Sequence, residues 1–209
     1  MRQSRLLEAN SMNRIDENKI REAIRAKYAE VSASAAGKFA YPTGEEGARE
    51  LGYDPAIVER TPGVILRSFC GVGNPFSLGA IDAGASVLDV GCGAGFDLIV
   101  ASHMVGESGL VYGIDLTPEM VERARANLAL AGVPNAEVIH VDSESLPFEE
   151  DSFDVITSNG VLNLAPCKQT IYSELFRVLK PRGRLQFADI VQRADLPGKL
   201  TGSMEAWSQ

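Results

Sequence analysis

The chain has 209 residues, of which 45% are hydrophobic and 23% charged, a composition typical of one globular α/β domain with an extension. Its formal net charge of −8 disfavours a nucleic-acid partner, because a phosphate backbone is bound by clustered Lys and Arg. Apolar runs stay below about 18 residues, and the N-terminal residues lack the apolar core of a signal peptide. We therefore expect a cytoplasmic protein without a membrane partner, and its oligomeric state is left open.

The three cysteines, Cys70, Cys92 and Cys167, are spaced without a CxxC pair. An odd number without close pairing argues against a disulfide framework and against a zinc site of the usual spacing. We expect free thiols and no metal site. The two histidines, His103 and His140, are expected on a helix and inside a strand, and no catalytic residue is predicted.

The first predicted element is a helix from about Ile15 to Val31, within a helical extension that covers residues 1–61. Apolar residues recur at helical spacing on one face of this helix; they are Ile20, Ile24, Tyr28 and Val31. Such a face can pack on a sheet or cover a ligand, and core packing is the commoner arrangement.

A glycine-rich turn follows the first strand-like segment. The stretch Ser86-Val-Leu-Asp-Val-Gly-Cys-Gly-Ala-Gly95 predicts a buried strand that turns into a helix near Phe96. A dinucleotide-binding turn has glycines at its first, third and sixth positions, whereas here the third glycine is at the fifth. This spacing disfavours a nicotinamide-dependent oxidoreductase. Asp89, before the turn, suits an ammonium or sulfonium group better than a phosphate.

Strand-like and helix-like segments alternate after this turn. Further strands are predicted at residues 111–115, 137–142, 153–157 and 184–191. One helix is predicted from Glu119 to Ala131, after Thr117 as N-cap and Pro118 at the first helical position, with Gly132 as its stop. Another helix, around residues 171–179, is closed by residues 180–183. The repeated order, from about residue 86 onward, predicts an α/β, doubly wound, mainly parallel sheet with right-handed crossovers.

Four polar residues lie at or just past predicted strand ends. In a doubly wound sheet, ligands bind beyond these carboxyl ends, so Asp89, Asp115, Asp142 and Asn159 are expected to face one crevice. Asp115 suits two ribose hydroxyls, because the paired oxygens of a carboxylate accept two hydrogen bonds. Asp142 suits an exocyclic adenine amine. Each acid could instead be an ordinary cap or turn residue.

This order of motifs resembles the Class I S-adenosylmethionine-dependent methyltransferases. The segments that carry the resemblance are residues 87–95, 113–120, 142–148, 152–156 and 177–185. The resemblance covers residues 62–193 and implies a Rossmann-like fold there, with S-adenosyl-L-methionine as cofactor. The cofactor site that it implies comprises Asp89, Gly91, Cys92, Gly93 and Gly95 at the methionine end, Asp115 at the ribose, Leu116 and Met120 beside the adenine, Asp142 and Ser143 at the adenine edge, and Asn159 near the amino-acid end.

A closer resemblance is to the arsenite methyltransferase-like branch. It rests on the segments 41–44, 71–75, 158–164 and 203–207. In that branch these segments carry cysteine thiolates, which are soft ligands suited to As(III). Here Phe39-Ala40, Val72 and Gly160 stand at the cysteine positions. A relocated thiol pair formed by Cys70 and Cys167 is an alternative, although free cysteines are more often small apolar residues.

The functional hypothesis is methyl transfer by in-line displacement to arsenite or another small-molecule acceptor. The alternatives are a non-catalytic S-adenosylmethionine-binding or interaction protein, and a C- or O-methyltransferase of a quinone-like small molecule. Asn74 and Asn163, from the arsenite-like segments, are expected to contact the acceptor. A complete sheet of this kind has seven strands, so residues 194–209 are expected to be a short tail that leaves an apparently truncated C-terminal end.

Overall fold

The computed structural model describes residues 17–191, and predictions that concern residues 1–16 or 192–209, including the 203–207 segment and the tail, lie outside the described residues. The helices are α1 Glu17–Val31, α2 Gly44–Glu50, α3 Pro55–Arg60, α4 Gly63–Leu66, α5 Phe96–Val105, α6 Pro118–Ala131 and α7 Lys168–Val178. The strands are β1 Ser86–Val90, β2 Leu110–Asp115, β3 Ala136–His140, β4 Phe153–Asn159 and β5 Leu179–Ala188. Short 3-10 helices cover Pro75–Leu78 and Leu162–Leu164.

The described strands form one parallel sheet in the order β3-β2-β1-β4-β5. Strand β1 lies in the middle, where Val87 pairs with Val111 of β2 on one side and with Val155 of β4 on the other. The direction of winding therefore reverses between β1 and β4, and ligands bind at such a switch point. This arrangement confirms the fold class expected from the sequence.

Both faces of the sheet are covered, as expected for a parallel sheet. Val87 packs in a core with α5 and α6, whereas the next residue, Leu88, packs in a core with α7 on the opposite face. A third core joins the helical extension to α5; its buried members include Tyr53, Leu66, Phe69, Phe96 and Val100. The boundary at residues 61 and 62 stays a prediction.

Two strand ends differ from those predicted. Strand β3 ends at His140, which pairs with Asp115, so His140 is the last residue of the strand and Asp142 lies two residues beyond it. Strand β4 continues through Asn159 because its backbone pairs with Ala188 of β5. Asn159 is thus the last residue of the strand rather than a residue of the following loop.

Strand β5 begins immediately after α7, at Leu179. Leu179 pairs with Phe153 and Arg184 pairs with Val155, so the residues between them form an irregularity within the strand. The loop predicted at this position is therefore a bulge in the edge strand. The strand ends at Ala188, three residues earlier than predicted.

The helix α1 both packs into the core and lines a cavity, which are the two arrangements expected for its apolar face. Ile20, Ile24 and Val31 are buried, as the helical spacing predicts, and α1 packs against α6. Tyr28 is half-buried and faces a cavity. Among the described residues, no helix combines the length and the apolar character needed to cross a bilayer.

Candidate functional site

The glycine turn after β1 adopts backbone conformations that favour glycine. Gly91, Gly93 and Gly95 have φ angles of 71°, 51° and 89°. The amide of Gly91 donates to the carbonyl of Ile114 at 2.8 Å, which ties the turn to β2. A Cβ on Gly91 would lie 2.5 Å from Cγ1 of Val161, whereas a Cβ on Gly93 would meet open space. The turn therefore has one closely packed side and one side left free for a ligand.

Asp115 lies at the end of β2, beside this turn. Its Oδ2 accepts a hydrogen bond from the amide of Gly93 at 2.9 Å, and its Oδ1 accepts one from the amide of Thr117 at 2.8 Å. Burial raises the pKa of the Asp115 carboxyl, and these hydrogen bonds oppose that shift. Each oxygen keeps a further lone pair for a ligand. Thr117 is the N-cap of α6 as predicted, but its side chain makes no capping hydrogen bond.

Two adjoining cavities open at the carboxyl ends of the central strands. The larger one is lined by seven of the predicted cofactor residues, namely Gly91, Gly93, Asp115, Leu116, Met120, Ser143 and Asn159. The smaller one is lined by Asp89 and Cys92 together with Gly91, Gly93 and Asn159. The structure thus brings most of the predicted cofactor set to one crevice at the switch point.

Other predicted residues lie outside both cavity linings. Gly95 packs against α6, where a Cβ would come 3.2 Å from that of Ala124. Asp142 is exposed, and only its neighbour Ser143 reaches the larger cavity. A role for Asp142 in reading the adenine stays a prediction, and the geometry gives it no support.

The two asparagines predicted to contact the acceptor have local partners. The Asn74 side chain accepts from the amide of Phe76 at 3.1 Å and donates to the carbonyl of Gly52 at 2.9 Å. Asn163 Oδ1 is buried without a hydrogen-bond partner, although the backbone amide of Asn163 donates to Asp189. Neither residue lines the cavities described above.

Asn159 holds the loop that covers the glycine turn. Its Oδ1 accepts from the amides of Val72 and Gly73, at 2.8 and 3.1 Å. Its Nδ2 donates to the Tyr53 hydroxyl at 3.0 Å and to Asp97 at 3.1 Å. The side-chain amide is therefore occupied by the protein itself, and a direct contact between Asn159 and a ligand stays a prediction.

Sequence reasoning missed Asp97 and Tyr53. Asp97 lies in the first turn of α5, whose remaining first-turn residues are apolar and buried, and the Tyr53 hydroxyl donates to it at 2.8 Å. Asp97 lines the smaller cavity, beside Asp89. The available signal was an acid directly after the glycine turn in an otherwise apolar stretch. Tyr53 gave no such signal, because its partner is distant in sequence.

Sequence reasoning also missed an ion pair at the mouth of the larger cavity. Arg21 of α1 and Glu144, from the loop after β3, approach to 2.5 Å, and their side chains are 15% and 11% exposed. Both residues line the cavity, as do Ile24 and Tyr28. The helix α1 therefore forms one wall of the cavity.

Two of the positions at which the arsenite-like branch carries cysteines, Val72 and Gly160, are neighbours in space and neither is a thiol. A Cβ on Gly160 would lie 3.2 Å from a methyl group of Val72. Cys70 lines both cavities, and burial raises the pKa of its thiol to about 12. Cys167 is the N-cap of α7 and lines neither. Within residues 17–191, no group of three or more His, Cys, Asp or Glu side chains is arranged to hold a metal ion.

The sheet order, the glycine turn at the switch point and the acid that ends β2 define a Rossmann-like fold of the class I methyltransferase type. Residues 81–209 match the family described as Methyltransferase domain, and the chain belongs to that family. Family and fold together imply S-adenosylmethionine as the cofactor.

Three similar proteins illustrate the relationship. An arsenite methyltransferase of Halobacterium salinarum is 36% identical over 197 residues, covering 87% of this chain and 50% of the relative. A demethylmenaquinone methyltransferase of Lactococcus lactis is 44% identical over 105 residues, covering 49% of this chain and 40% of the relative. The crystal structure of an arsenic(III) S-adenosylmethionine methyltransferase from Chlamydomonas reinhardtii is 34% identical, with a TM-score of 0.58 over 77% of this chain and 53% of that one. The chain thus spans about half the length of these relatives.

Proposed function

We propose that this chain binds S-adenosylmethionine across the carboxyl ends of β1, β2 and β4 and transfers its methyl group to a small-molecule acceptor. The observation that carries the proposal is the pairing of Asp89 and Asp115 on either side of the glycine turn, each facing a cavity. A positively charged methionyl end and a ribose diol are the ligand groups that suit these two carboxylates.

Each part of the crevice matches one part of the cofactor. Asp115 accepts hydrogen bonds from the ribose hydroxyls through its remaining lone pairs. Leu116 and Met120 provide apolar contact for the adenine, with Ser143 at its edge. The free side of Gly93 admits the methionyl end close to the backbone.

When bound, S-adenosylmethionine supplies a methyl group that its sulfonium has already activated. The chain itself orients the cofactor through Asp115 and the glycine turn, and α1 forms one side of the cavity. Proximity and orientation of two bound reactants supply about 7 to 11 kcal/mol in favourable cases. Such a site needs no dedicated base when the acceptor is a good nucleophile.

The acceptor is proposed to be a small molecule other than arsenite, with a quinone-like ring as the leading candidate. The thiol-free contact between Val72 and Gly160 supports this choice, because As(III) is held by soft ligands. The larger cavity also continues into an apolar rim; its members include Val161, Leu162, Leu164, Ala165 and Pro166. Similarity to a demethylmenaquinone methyltransferase agrees with this candidate.

Calorimetric titration with S-adenosylmethionine tests cofactor binding. Asp115→Ala should weaken binding by at least about tenfold, since it removes charge-assisted hydrogen bonds worth roughly 1.5 to 3 kcal/mol each. Asp82→Ala is the control, because this exposed acid lines neither cavity and has no predicted part in the cofactor site. Equal binding by both variants would contradict the proposed site.

A methyl-transfer screen then separates the acceptor classes. Arsenite and a reduced naphthoquinone are each incubated with the full chain and radiolabelled cofactor. Labelled quinone product supports the proposal, whereas labelled arsenic would restore arsenite as the acceptor. Tight cofactor binding without transfer to either acceptor or to a wider small-molecule panel would favour the non-catalytic alternative.

A further inference from the structure

Two buried carboxylates, those of Asp89 and Asp97, line the smaller cavity. Asp89 is 2% exposed and Asp97 is 7% exposed. Among the residues described as lining this cavity there is no Lys, Arg or His. Two like charges buried together are costly, and such pairs commonly reduce the cost by retaining a proton.

Hydrogen bonds distinguish the two acids. Asp97 accepts from Tyr53 at Oδ1 and from Asn159 at Oδ2, at 2.8 and 3.1 Å, so both of its oxygens are occupied. Asp89 accepts from Thr157 at Oδ1, at 2.7 Å, and within the described residues its Oδ2 has no hydrogen-bond donor. Asp89 is therefore the acid with an oxygen left for a ligand.

We propose that the Asp89–Asp97 pair holds one proton, on Asp89, in the ligand-free protein and releases it to solvent when the α-ammonium group of S-adenosylmethionine binds at Asp89. Asp97 is a positioning residue whose negative charge sets the proton affinity of Asp89. The ammonium replaces the proton as the cation beside the two carboxylates, so the two acids and their cation keep a net charge of −1. This inference rests on the proposed function, since it names the subsite for one end of the same cofactor.

The direction of the pKa shifts agrees with this geometry. Burial raises the pKa of Asp89 well above its ordinary range, and the charge of Asp97 raises it further. Burial also raises the pKa of Asp97 to about 6, although the Tyr53 and Asn159 hydrogen bonds oppose the shift. Both shifts favour retention of a proton by this buried pair of acids, as their burial without a cation does.

The other titratable groups that face the pair do not supply a counter-charge. Burial raises the pKa of Cys92 in the glycine turn, of Cys70 in the covering loop and of Tyr53 in the extension, so all three are neutral at pH 7. Asp115 of β2 adds negative charge. Lys27 of α1 acts electrostatically on Cys70 and is not among the causes of the shifts at the two acids.

Calorimetry in two buffers of different ionisation enthalpy measures the proton release directly. At pH 7, binding of S-adenosylmethionine by the full chain should release a substantial fraction of one proton. Because the free protein holds the proton and the complex does not, affinity should rise with pH, by up to about tenfold per unit for one full proton. S-adenosylhomocysteine keeps the ammonium and lacks the sulfonium charge, so it should release the same amount.

Two substitutions should shift this release in opposite directions. Asp97→Asn removes the neighbouring negative charge, so the release at pH 7 should fall and the pH dependence should move to lower pH. Tyr53→Phe removes a hydrogen bond that stabilises the charged form of Asp97, so the release should grow and the dependence should move to higher pH. Asp82→Asn, at an exposed acid, is the control and should match the unsubstituted chain.

The outcomes separate the inference from the proposed function. Three results would overturn the inference and leave the cofactor assignment intact. They are binding without proton release, release that neither substitution changes, and release with S-adenosylmethionine but not with S-adenosylhomocysteine. Failure of the unsubstituted chain to bind either compound would overturn both. If Asp97→Asn does not fold, Tyr53→Phe tests the inference: a pH dependence of binding that does not move to higher pH would overturn it.

Discussion

Replacing Gly91 with alanine tests whether the glycine turn is closed by a direct contact with the loop after β4. The new Cβ would lie 2.5 Å from Cγ1 and 2.8 Å from Cβ of Val161, well inside ordinary contact. Overpacking of this kind costs roughly 1 to 3 kcal/mol. The φ angle of 71° adds backbone strain of about 1 to 2 kcal/mol for a residue with a side chain. We expect the free energy of unfolding to fall by roughly 2 to 5 kcal/mol.

Gly93→Ala is the matched comparison, because it lies in the same turn with a φ angle of 51° and no atom within 4 Å of its ideal Cβ. Gly93→Ala should be destabilised by the backbone strain alone, so the free energies of unfolding of the two variants should differ by roughly 1 to 3 kcal/mol. Urea unfolding followed by circular dichroism measures this difference. Val161→Ala should restore part of the loss in Gly91→Ala. Variants equal within about 0.5 kcal/mol would refute the contact.

Three further predictions concern single side chains. Arg21→Ala removes the ion pair with Glu144 and should speed dissociation of S-adenosylhomocysteine in stopped-flow measurements. In a double-mutant cycle on the dissociation rate, Arg21→Ala and Glu144→Gln should show a coupling free energy of roughly 0.5 to 1 kcal/mol. Hydrogen bonds from a neighbouring arginine lower the pKa of Glu174 from 4.5 to about 2, so its stabilisation is present above pH 4.5 and is lost as the pH falls towards 2; in acid titrations followed by circular dichroism, Glu174→Gln should lose less stability over that interval. Cys167, whose pKa a neighbouring hydroxyl lowers, should react with a thiol reagent faster than Cys70, whose pKa is raised, and Cys167→Ser should remove the fast phase.

Each of these has a contrary result. Additive effects of the two cavity-mouth substitutions would show that the ion pair is uncoupled. If Glu174→Gln and the unsubstituted chain lose the same stability between pH 4.5 and 2, the hydrogen bonds from Arg177 to Glu174 do not stabilise the fold as assigned. A fast thiol phase that survives the serine substitution would place the reactive thiol elsewhere.

The parallel sheet and the glycine turn could be predicted because both depend on short-range patterns. An apolar run such as residues 86–90 must be buried on both faces, and the structure does place Val87 and Leu88 in cores on opposite sides. Glycines at alternate positions indicated a sharp turn, and all three adopt positive φ angles. The stop of α6 at Gly132, with a φ angle of 66°, follows the same local logic.

The sequence was a weaker guide to which of the predicted residues line the cavity and which do not. Asp115 and Asp142 both follow a strand in the sequence, but Asp115 ends β2 next to the central strand, and two backbone amides hold its carboxylate. Asp142 lies two residues past β3, which is the outer strand and one step further from the switch point. Strand order, which depends on the whole fold, decides between them.

The sequence by itself determined the fold class and the position of the turn, because these follow from spacing along the chain. Only the tertiary structure showed that Tyr53, Asp97 and Asn159 form one buried network beside Asp89, since the first two are 44 residues apart and Asn159 lies 62 residues beyond Asp97. It also showed that Val72 and Gly160 touch where the arsenite-like branch carries cysteines. Burial and the balance of charge arise from neighbours in space, and neighbours in space are set by how the strands and loops pack.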